Sequence, residues 1–280
     1  MKRLPYILLS FLTACSMAVP EDSDPQVIMA FEPVVSPMTR GNDLPGNSVG
    51  VSIWTLDKNL NWIYGCEAEE YVTESMIVPG EDGQWYLEDM NVWPSVKKSI
   101  TVIGYAPYDR VYSCCDEYGV RFSGVNVLDD QTPLMYTQPQ ADLHKLSSGG
   151  LVFLPLQHAL CQLDFKVRER VAEGEDIRVG RIVLDNAFHE GDFRSLPQPE
   201  WEVSGTASEV EFQEGQSRLM IPQKLCSQVT VEYEYTNAAG LSIVQTVKTR
   251  EIVKDLKPGY CYTLVLTVGV DDVKFLIEML

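Results

Sequence analysis

Three histidines are the side chains best suited to acid–base or metal chemistry near neutral pH, and they are scattered as His144, His158 and His189. None has a second ligand-type residue at the short spacings that metal sites use. His158 lies between apolar residues, which favours a hydrogen-bonded histidine in the core or at a bend over a ligand or a base. Nucleophile-elbow, P-loop and dinucleotide motifs are absent from the sequence. We therefore predict no catalytic residue, no metal site and no cofactor, and hence no enzyme.

Carboxylates and aromatic side chains are the other groups that could act on a ligand. Asp and Glu number 40, so some pair will be close in space whatever the function, and a glycosidase dyad does not follow from abundance. The five tryptophans could stack on sugars, but most lie in strand-like runs where core packing is the commoner use. Binding or assembly is therefore favoured over catalysis.

The cysteines also give no redox or zinc motif, because none forms a C-x-x-C pair. Cys161, Cys226 and Cys261 lie in or beside apolar stretches, where a thiol usually behaves as a small buried hydrophobe. Cys114 and Cys115 are adjacent in a predicted loop and are expected to point in opposite directions rather than form a strained bridge. The sequence does not choose a disulfide pairing.

Cys15 has a different context, at the end of an N-terminal leader. Lys2 and Arg3 precede an apolar run, Leu4–Phe11, that is too short to span a bilayer, and small residues follow up to the cysteine. The pattern resembles a bacterial lipoprotein signal, in which the cysteine is acylated, with palmitate for example, and becomes the new N-terminus. An ordinary signal peptide is the alternative. Acylation of Cys15 would hold the chain at a membrane surface without spanning it.

Residues 16–40 are rich in Pro, Asp, Glu and Ser and read as a tether. One apolar run inside it, Val27–Phe31, has the length of a strand. Thr39–Asp43 is polar and contains glycine, so that a protease could reach its backbone.

Length limits the number of domains, and charge limits the classes of partner. After a leader and a tether, a chain of 280 residues leaves room for two small domains. The formal net charge of −18 becomes −20 when Lys2 and Arg3 leave with the leader. Nucleic acid and anionic lipid headgroups are thereby disfavoured as partners.

Short runs of alternating or β-branched apolar residues, bounded by turn signals, recur at about ten-residue spacing, and no long window keeps a helical period. The predicted strands include Val49–Trp54, Asn61–Tyr64, Gln84–Leu87, Ser99–Tyr105, Gly119–Phe122, Pro133–Tyr136, two strands joined by a bend at Leu156–Ala159, Arg181–Leu184, Trp201–Val203, Val210–Phe212, Arg218–Ile221, Val229–Tyr235, Leu241–Val247 and Tyr260–Val268. We predict an all-β chain of antiparallel β-sandwiches. A cluster of charged residues together with Gly174 places the boundary between two domains near residue 172. The predicted domains are residues 41–172 and 173–280.

Several short motifs, in their order and spacing, carry a resemblance to a known family. They are the leader ending at Cys15, Thr39–Arg40 before Gly46–Val51, Val102–Pro107, Pro133–Tyr136, Leu156–Leu160, Leu219–Gln223 and Leu256–Tyr262. The chain resembles the fimbrillin family of Bacteroides-type bacteria, especially its Mfa-like members. The resemblance implies two tandem transthyretin-like β-sandwiches, export as a lipoprotein, and cleavage after an arginine by a surface protease, here between Arg40 and Gly41.

The resemblance further implies assembly into pili by strand exchange, at the cell surface and anchored to the outer membrane by lipid. The expected function is thus a structural or adhesive pilus subunit, with other pilin subunits, of the same or another kind, as partners. A host or bacterial surface ligand is a further expected partner. The alternative from another class is a monomeric surface lipoprotein that binds glycans through exposed Trp or Tyr.

The last residues have the pattern of a strand that could be donated to another subunit. Val273, Phe275, Ile277 and Met279 fall on one face of residues 272–280, with the period of two that a groove for alternate side chains requires. The link Gly269–Asp272 is polar and contains glycine. We therefore predict donation of this segment. The alternative is that it closes the second sandwich of its own chain, since both uses demand the same alternation.

Overall fold

The computed structural model describes residues 26–36, 44, 48–57, 59–89, 92–108, 113–270 and 272–279. Within these ranges the chain is almost entirely β-strand, with a single four-residue helix, α1 (Lys145–Ser148). The predicted all-β class is confirmed. The predictions for Cys15, Arg40 and Gly41 lie outside the described residues.

The strands of the N-terminal part are β1 (Ala30–Val35), β2 (Val49–Asp57), β3 (Glu69–Pro79), β4 (Trp85–Leu87), β5 (Lys98–Ala106), β6 (Ser113–Asp116), β7 (Gly119–Asn126), β8 (Met135–Tyr136), β9 (Gln140–Leu143) and β10 (Leu151–His158). Those of the C-terminal part are β11 (Cys161–Arg170), β12 (Asp176–Ala187), β13 (Glu190–Arg194), β14 (Glu200–Ser204), β15 (Ser208–Phe212), β16 (Arg218–Met220), β17 (Lys224–Ser227), β18 (Val229–Thr236), β19 (Ser242–Lys248), β20 (Ile252–Asp255), β21 (Cys261–Gly269) and β22 (Val273–Met279).

In the N-terminal part, strands pair in the order β2-β3-β4-β1-β10-β8-β5, and a further β2–β5 pairing joins the two ends into a closed ring. Strand β9 pairs with β5 outside this circuit. Side chains at alternate positions, such as Val49, Val51 and Ile53 of β2, point into an apolar core inside the ring. Period-two alternation in these strands therefore places one face of each inside the ring.

The other face of β2 and β5 is also covered, which explains why both strands read as nearly unbroken apolar or β-branched runs. Trp54, Ile103 and Tyr105 pack there against a second core that includes Phe122 of β7. The four-stranded sheet β14-β13-β7-β6 lies over this face. A two-sided burial of this kind makes β2 and β5 the central strands of the N-terminal part.

The C-terminal part is a sandwich of two four-stranded sheets, β16-β11-β21-β22 and β15-β12-β18-β19, with β17 and β20 forming a separate pair. The core between the sheets takes side chains from both, for example Phe165 of β11 and Phe212 of β15, whose rings meet edge-on at 4.8 Å. The hairpin predicted for Val229–Tyr235 and Leu241–Val247 is confirmed as the antiparallel pair β18–β19.

The hairpin β13–β14 joins the two parts, because β13 pairs with β7 of the N-terminal part. Phe193 of β13 stacks on Phe122 at 5.7 Å and also contacts Tyr136 and Trp201. The indole Nε1 of Trp201 donates to the carbonyl of Ala159 at 2.7 Å. The two parts are therefore linked by a shared sheet and a shared aromatic core as well as by the chain.

The strand predicted at Asn61–Tyr64 is wrong. Backbone hydrogen bonds there close turns, such as Cys66 N to Ile63 O at 3.0 Å, and the partner of β2 is β3 instead. Strand β3 was missed because bulges interrupt its pairing with β2, and Glu74 takes a positive φ of 41°. A break in alternation of this kind hides a strand from a period-two search.

Two further placements differ from the sequence interpretation. Cys114 and Cys115 lie in β6 rather than in a loop, and as expected they point in opposite directions, since Cys115 is buried and Cys114 is half-buried. Strand β11, which the sequence assigned to the N-terminal domain, pairs in parallel with β21 over nine residue pairs. We therefore propose that the boundary between the parts lies at Ala159–Leu160, before β11.

Candidate functional site: the slot occupied by β1

Strand β1 is one of the strands that form the ring, between β10 and β4, and it pairs with β10 over more residues than with β4. It runs parallel to β10 over six residue pairs, from Ala30–Leu151 to Val35–Leu156. Its antiparallel pairing with β4 is limited to Ala30 and Phe31. The first residues of β1 are thus paired on both sides and the last on one side only. Pro33, which has no N–H, lies in this half-paired stretch, where its missing donor is tolerated.

The side chains of this segment alternate between the core and solvent. Met29 and Phe31 are 1% and 0% exposed inside the ring core, and Val27 and Val35 pack partly against it. Glu32 is exposed on the opposite face. The sequence predicted a strand at Val27–Phe31, whereas β1 begins at Ala30 and ends at Val35, so that the two overlap only at Ala30 and Phe31. A strand in this position therefore presents alternate side chains to an apolar slot.

The N-terminal end of the segment is the more tightly held. The N–H of Trp93 donates to the carbonyl of Val27 at 2.7 Å, and Ile28 forms an isolated bridge with Val92. A Cβ on Gly150 would lie 2.6 Å from Cγ1 of Val27, at a φ of +89°, so only glycine fits there. The C-terminal end, which leads towards Arg40, is bonded to β10 alone, with a last hydrogen bond from Ser36 N to Leu156 O at 2.8 Å.

His158 closes the C-terminal end of the slot. It is buried at the end of β10, in a cavity that Ser36 shares with the turn residues Pro258 and Gly259 of the C-terminal part. Burial lowers the pKa of this imidazole, because the charged form loses its hydration. The slot thus ends against a buried histidine and the second part of the molecule.

The C-terminal strand β22 is paired within its own chain. It runs antiparallel to β21 over seven residue pairs, from Val268–Val273 to Tyr262–Met279. Val273, Phe275 and Ile277 pack partly against the C-terminal core, so the predicted common face is present. Leu276 is exposed on the other face. Donation of β22 to another subunit stays a prediction, because the single chain shows only the closed arrangement.

Other candidate groups take structural places in the described part of the chain. No cluster of three or more metal-ligating side chains occurs there, and its cysteines are free thiols. No helix in those ranges has the length and apolar character needed to cross a bilayer. All five tryptophans are buried or half-buried, which agrees with packing as their main use.

Two tyrosines form an exposed aromatic pair that the sequence did not single out. Tyr64 and Tyr118 are 46% and 48% exposed, and their rings meet edge-on at 5.9 Å. They belong to the loop after β2 and to the turn between β6 and β7. Since Tyr64 was assigned to a strand, the pairing had no signal in the sequence.

Comparisons with known proteins agree on family and fold. A family model described as fimbrillin-like matches residues 42–279. No curated protein matches the chain. A fimbrial protein of Bacteroides vulgatus has a similar structure, with a TM-score of 0.64 and 16% identity, over 91% of this chain and 99% of that one.

Candidate cell adhesion proteins of Bacteroides uniformis and Bacteroides ovatus are also similar, with TM-scores of 0.58 and 0.59 and 13% identity each. Both matches cover 91% of this chain, and 98% and 97% of theirs. At these identities the structures show a shared fold. The match of the family model, which covers far more than half of the chain, carries the assignment, and the chain belongs to the fimbrillin-like family.

Proposed function

We propose that the protein is a structural or adhesive subunit of a cell-surface pilus, assembled by strand exchange after proteolysis. Three observations support the proposal: membership of the fimbrillin-like family, a fold shared with a fimbrial protein of Bacteroides vulgatus, and the slot around β1. The slot carries most weight, because loss of β1 would open the ring and leave the other pairings, β10-β8-β5-β2-β3-β4, in place.

Cleavage between Arg40 and Gly41 would place β1 on a separate N-terminal fragment, since β1 ends at Val35. The fragment would then be held by hydrogen bonds and side-chain packing alone. Its last residues, from Glu32 on, pair only with β10, so dissociation would begin near the cut. Departure would expose the ring core around Met29 and Phe31 and unpaired backbone on β10, which is costly in water.

An incoming strand would restore both the packing against the ring core and the hydrogen bonds to β10. Strand β22 has the required alternation of apolar side chains. Val273, Phe275, Ile277 and Met279 repeat the two-residue spacing of Met29, Phe31, Pro33 and Val35. Burying four such side chains would contribute on the order of 6–10 kcal/mol before the cost of ordering the strand. The joint would combine a main-chain ladder with side-chain register, as in other strand-addition complexes.

Replacement of the cleavage-site arginine tests the first step. Arg40→Ala is expected to leave uncut monomers on cells, whereas Arg178→Ala, which removes an exposed arginine of β12, should leave processing unchanged. N-terminal sequencing of surface-extracted protein and electron microscopy give the readout. Polymers of normal length from Arg40→Ala would refute processing at this site.

Truncation after Val270 tests the donor. If β22 is donated, the shortened protein remains folded, although less stable because the β21–β22 pairing is lost, and it does not join a cleaved partner. Unfolding of the shortened protein would instead mean that β22 belongs to its own sandwich, and that the joint is made elsewhere.

Lipid anchoring at Cys15 is the third part of the proposal, with the outer membrane as location. Incorporation of a labelled fatty acid into the exported protein should be lost in Cys15→Ala. Retention of the label after this substitution would overturn acylation at that residue.

A monomeric surface lipoprotein that binds glycans remains the second candidate, favoured by the exposed pair Tyr64 and Tyr118. Aromatic faces at the surface can stack on sugar rings. Saturable binding to immobilised sugars that is lost in Tyr64→Ala, together with an absence of filaments on cells, would support this candidate over the first.

A further inference from the structure

The outer edge of β19 is a strand edge without the usual protection. Strand β19 ends its sheet, and no other described strand pairs with its outer side. Its pairing with β18 is regular over seven residues, with no bulge. Proteins usually protect such edges with charges, prolines or bulges, because unpaired N–H and C=O groups otherwise recruit another strand.

Charge distinguishes this edge from others in the described sheets. The edge strands β14, β15 and β22 each carry charged side chains along their length: Glu200 and Glu202, Glu209 and Glu211, and Lys274 and Glu278. In β19 the run Ile243–Val247 is uncharged, and only the last residue, Lys248, is ionised. Ile243 and Val244 are 51% and 69% exposed. In a chain of net charge −18, β19 therefore presents no carboxylate of its own to a second copy. Glu232 and Glu234 lie one strand further in, on β18, and Lys248 pairs with Asp185.

The hydrogen bonds at both ends of the β18–β19 pair identify the groups that point outward. Asn237 N donates to Leu241 O at 3.0 Å, and Thr249 N donates to Val229 O at 2.9 Å. Bonded and non-bonded pairs alternate along an antiparallel ladder. Ile243, Gln245 and Val247 therefore bond to β18, and the backbone groups of Ser242, Val244, Thr246 and Lys248 face away from it.

We propose that β19 is a self-association edge, on which β19 of a second copy of this chain pairs antiparallel about a two-fold axis through Gln245. In this register Ser242 lies opposite Lys248, and Val244 lies opposite Thr246. All outward N–H and C=O groups of the strand then find partners, and no like charges face each other. The two β15-β12-β18-β19 sheets become one continuous sheet across an isologous interface.

The edge is distinct from the slot of β1 and from β22. Uncut protein can therefore form this dimer, and its presence or absence is independent of the proposed strand exchange. Contact through one strand pair covers a small area, so the dimer is weak and reversible.

Sedimentation velocity on the full chain carrying Cys15→Ser, over a hundredfold range of concentration, tests the proposal. We expect the average mass to rise from that of the 31.5 kDa chain towards twice that value. Hydrogen exchange should show the amides of Val244 and Thr246 protected only at high concentration. A constant monomer mass throughout would overturn the proposal.

Two variants, each with a matched control, assign the interface. Thr246→Pro removes one outward donor from each copy and should weaken the dimer by about tenfold or more, whereas Thr246→Val keeps the N–H and should not. Val244→Lys should also weaken the dimer, but Val253→Lys, at a similarly exposed valine of β20, should leave it unchanged. A dimer unaffected by Thr246→Pro and Val244→Lys, or masses that grow beyond two chains, would overturn the two-fold pairing of β19.

Discussion

Phe31 is the side chain on which retention of β1 should depend most. It is 0% exposed inside the ring core, so Phe31→Ala removes a fully buried ring. Substitutions of this kind cost about 3–5 kcal/mol. At about 1.4 kcal/mol per tenfold change, the N-terminal fragment carrying Phe31→Ala should bind the cut protein roughly a hundredfold to a few thousandfold more weakly.

The assay uses a protein in which a site-specific protease sequence replaces Arg40–Gly41, so that the N-terminal fragment is held non-covalently after cutting. A dye-labelled copy of the fragment is displaced by unlabelled fragments, and fluorescence anisotropy gives their relative affinities. The matched control is Val34→Ala, since Val34 is 40% exposed on the same strand and its loss should cost no more than about 0.5 kcal/mol. Equal affinities for the Phe31→Ala and unchanged fragments would refute the argument that core packing holds β1.

Three further predictions follow from described contacts. Gly50→Ala should lower the free energy of unfolding by about 1–3 kcal/mol, because a Cβ there would lie 2.4 Å from the ring of Tyr105. Gly104→Ala, whose Cβ would meet no atom closer than 3.5 Å, should lower it less in the same denaturant titration. Because burial lowers the pKa of His158 below 6.5, the unfolded chain takes up this proton first as the pH falls. Stability should therefore decrease below about pH 6.5, and His158→Leu should reduce that decrease in titrations at about pH 7 and pH 5.5. Phe193→Ala should lower the free energy of unfolding by about 3–5 kcal/mol and separate the unfolding of the two parts into two calorimetric transitions. A single unshifted transition would contradict the role of Phe193 in joining the two parts.

Strands with local, regular alternation were predictable from the sequence. Val229–Tyr235 and its partner across the Asn237–Gly240 loop form β18 and β19 as expected, because the turn and the period specify both the pairing and the buried face. The same reasoning identified one common face on β22. The sequence did not decide whether β22 closes its own sandwich or is donated to another subunit, since both uses need the same alternation.

The slot around β1 was not predictable at this level. The apolar run Val27–Phe31 was visible, but its neighbour β10 begins at Leu151, and no local signal relates segments so far apart in sequence. The same applies to β13, whose pairing with β7 depends on Phe122 and Phe193 meeting across the molecule. Only the folded chain brings such side chains together.

The pairing of β13 with β7 has a mechanical consequence. The chain between β10 and β11 is only Ala159 and Leu160, and a link of two residues would by itself act as a pivot. Bending at that pivot would tear the β13–β7 ladder and separate the rings of Phe122 and Phe193. Tension applied at opposite ends of the molecule is therefore shared between a covalent strand and a hydrogen-bonded sheet. Under tension the two parts should therefore move as one rigid unit, without rotating about the link between them.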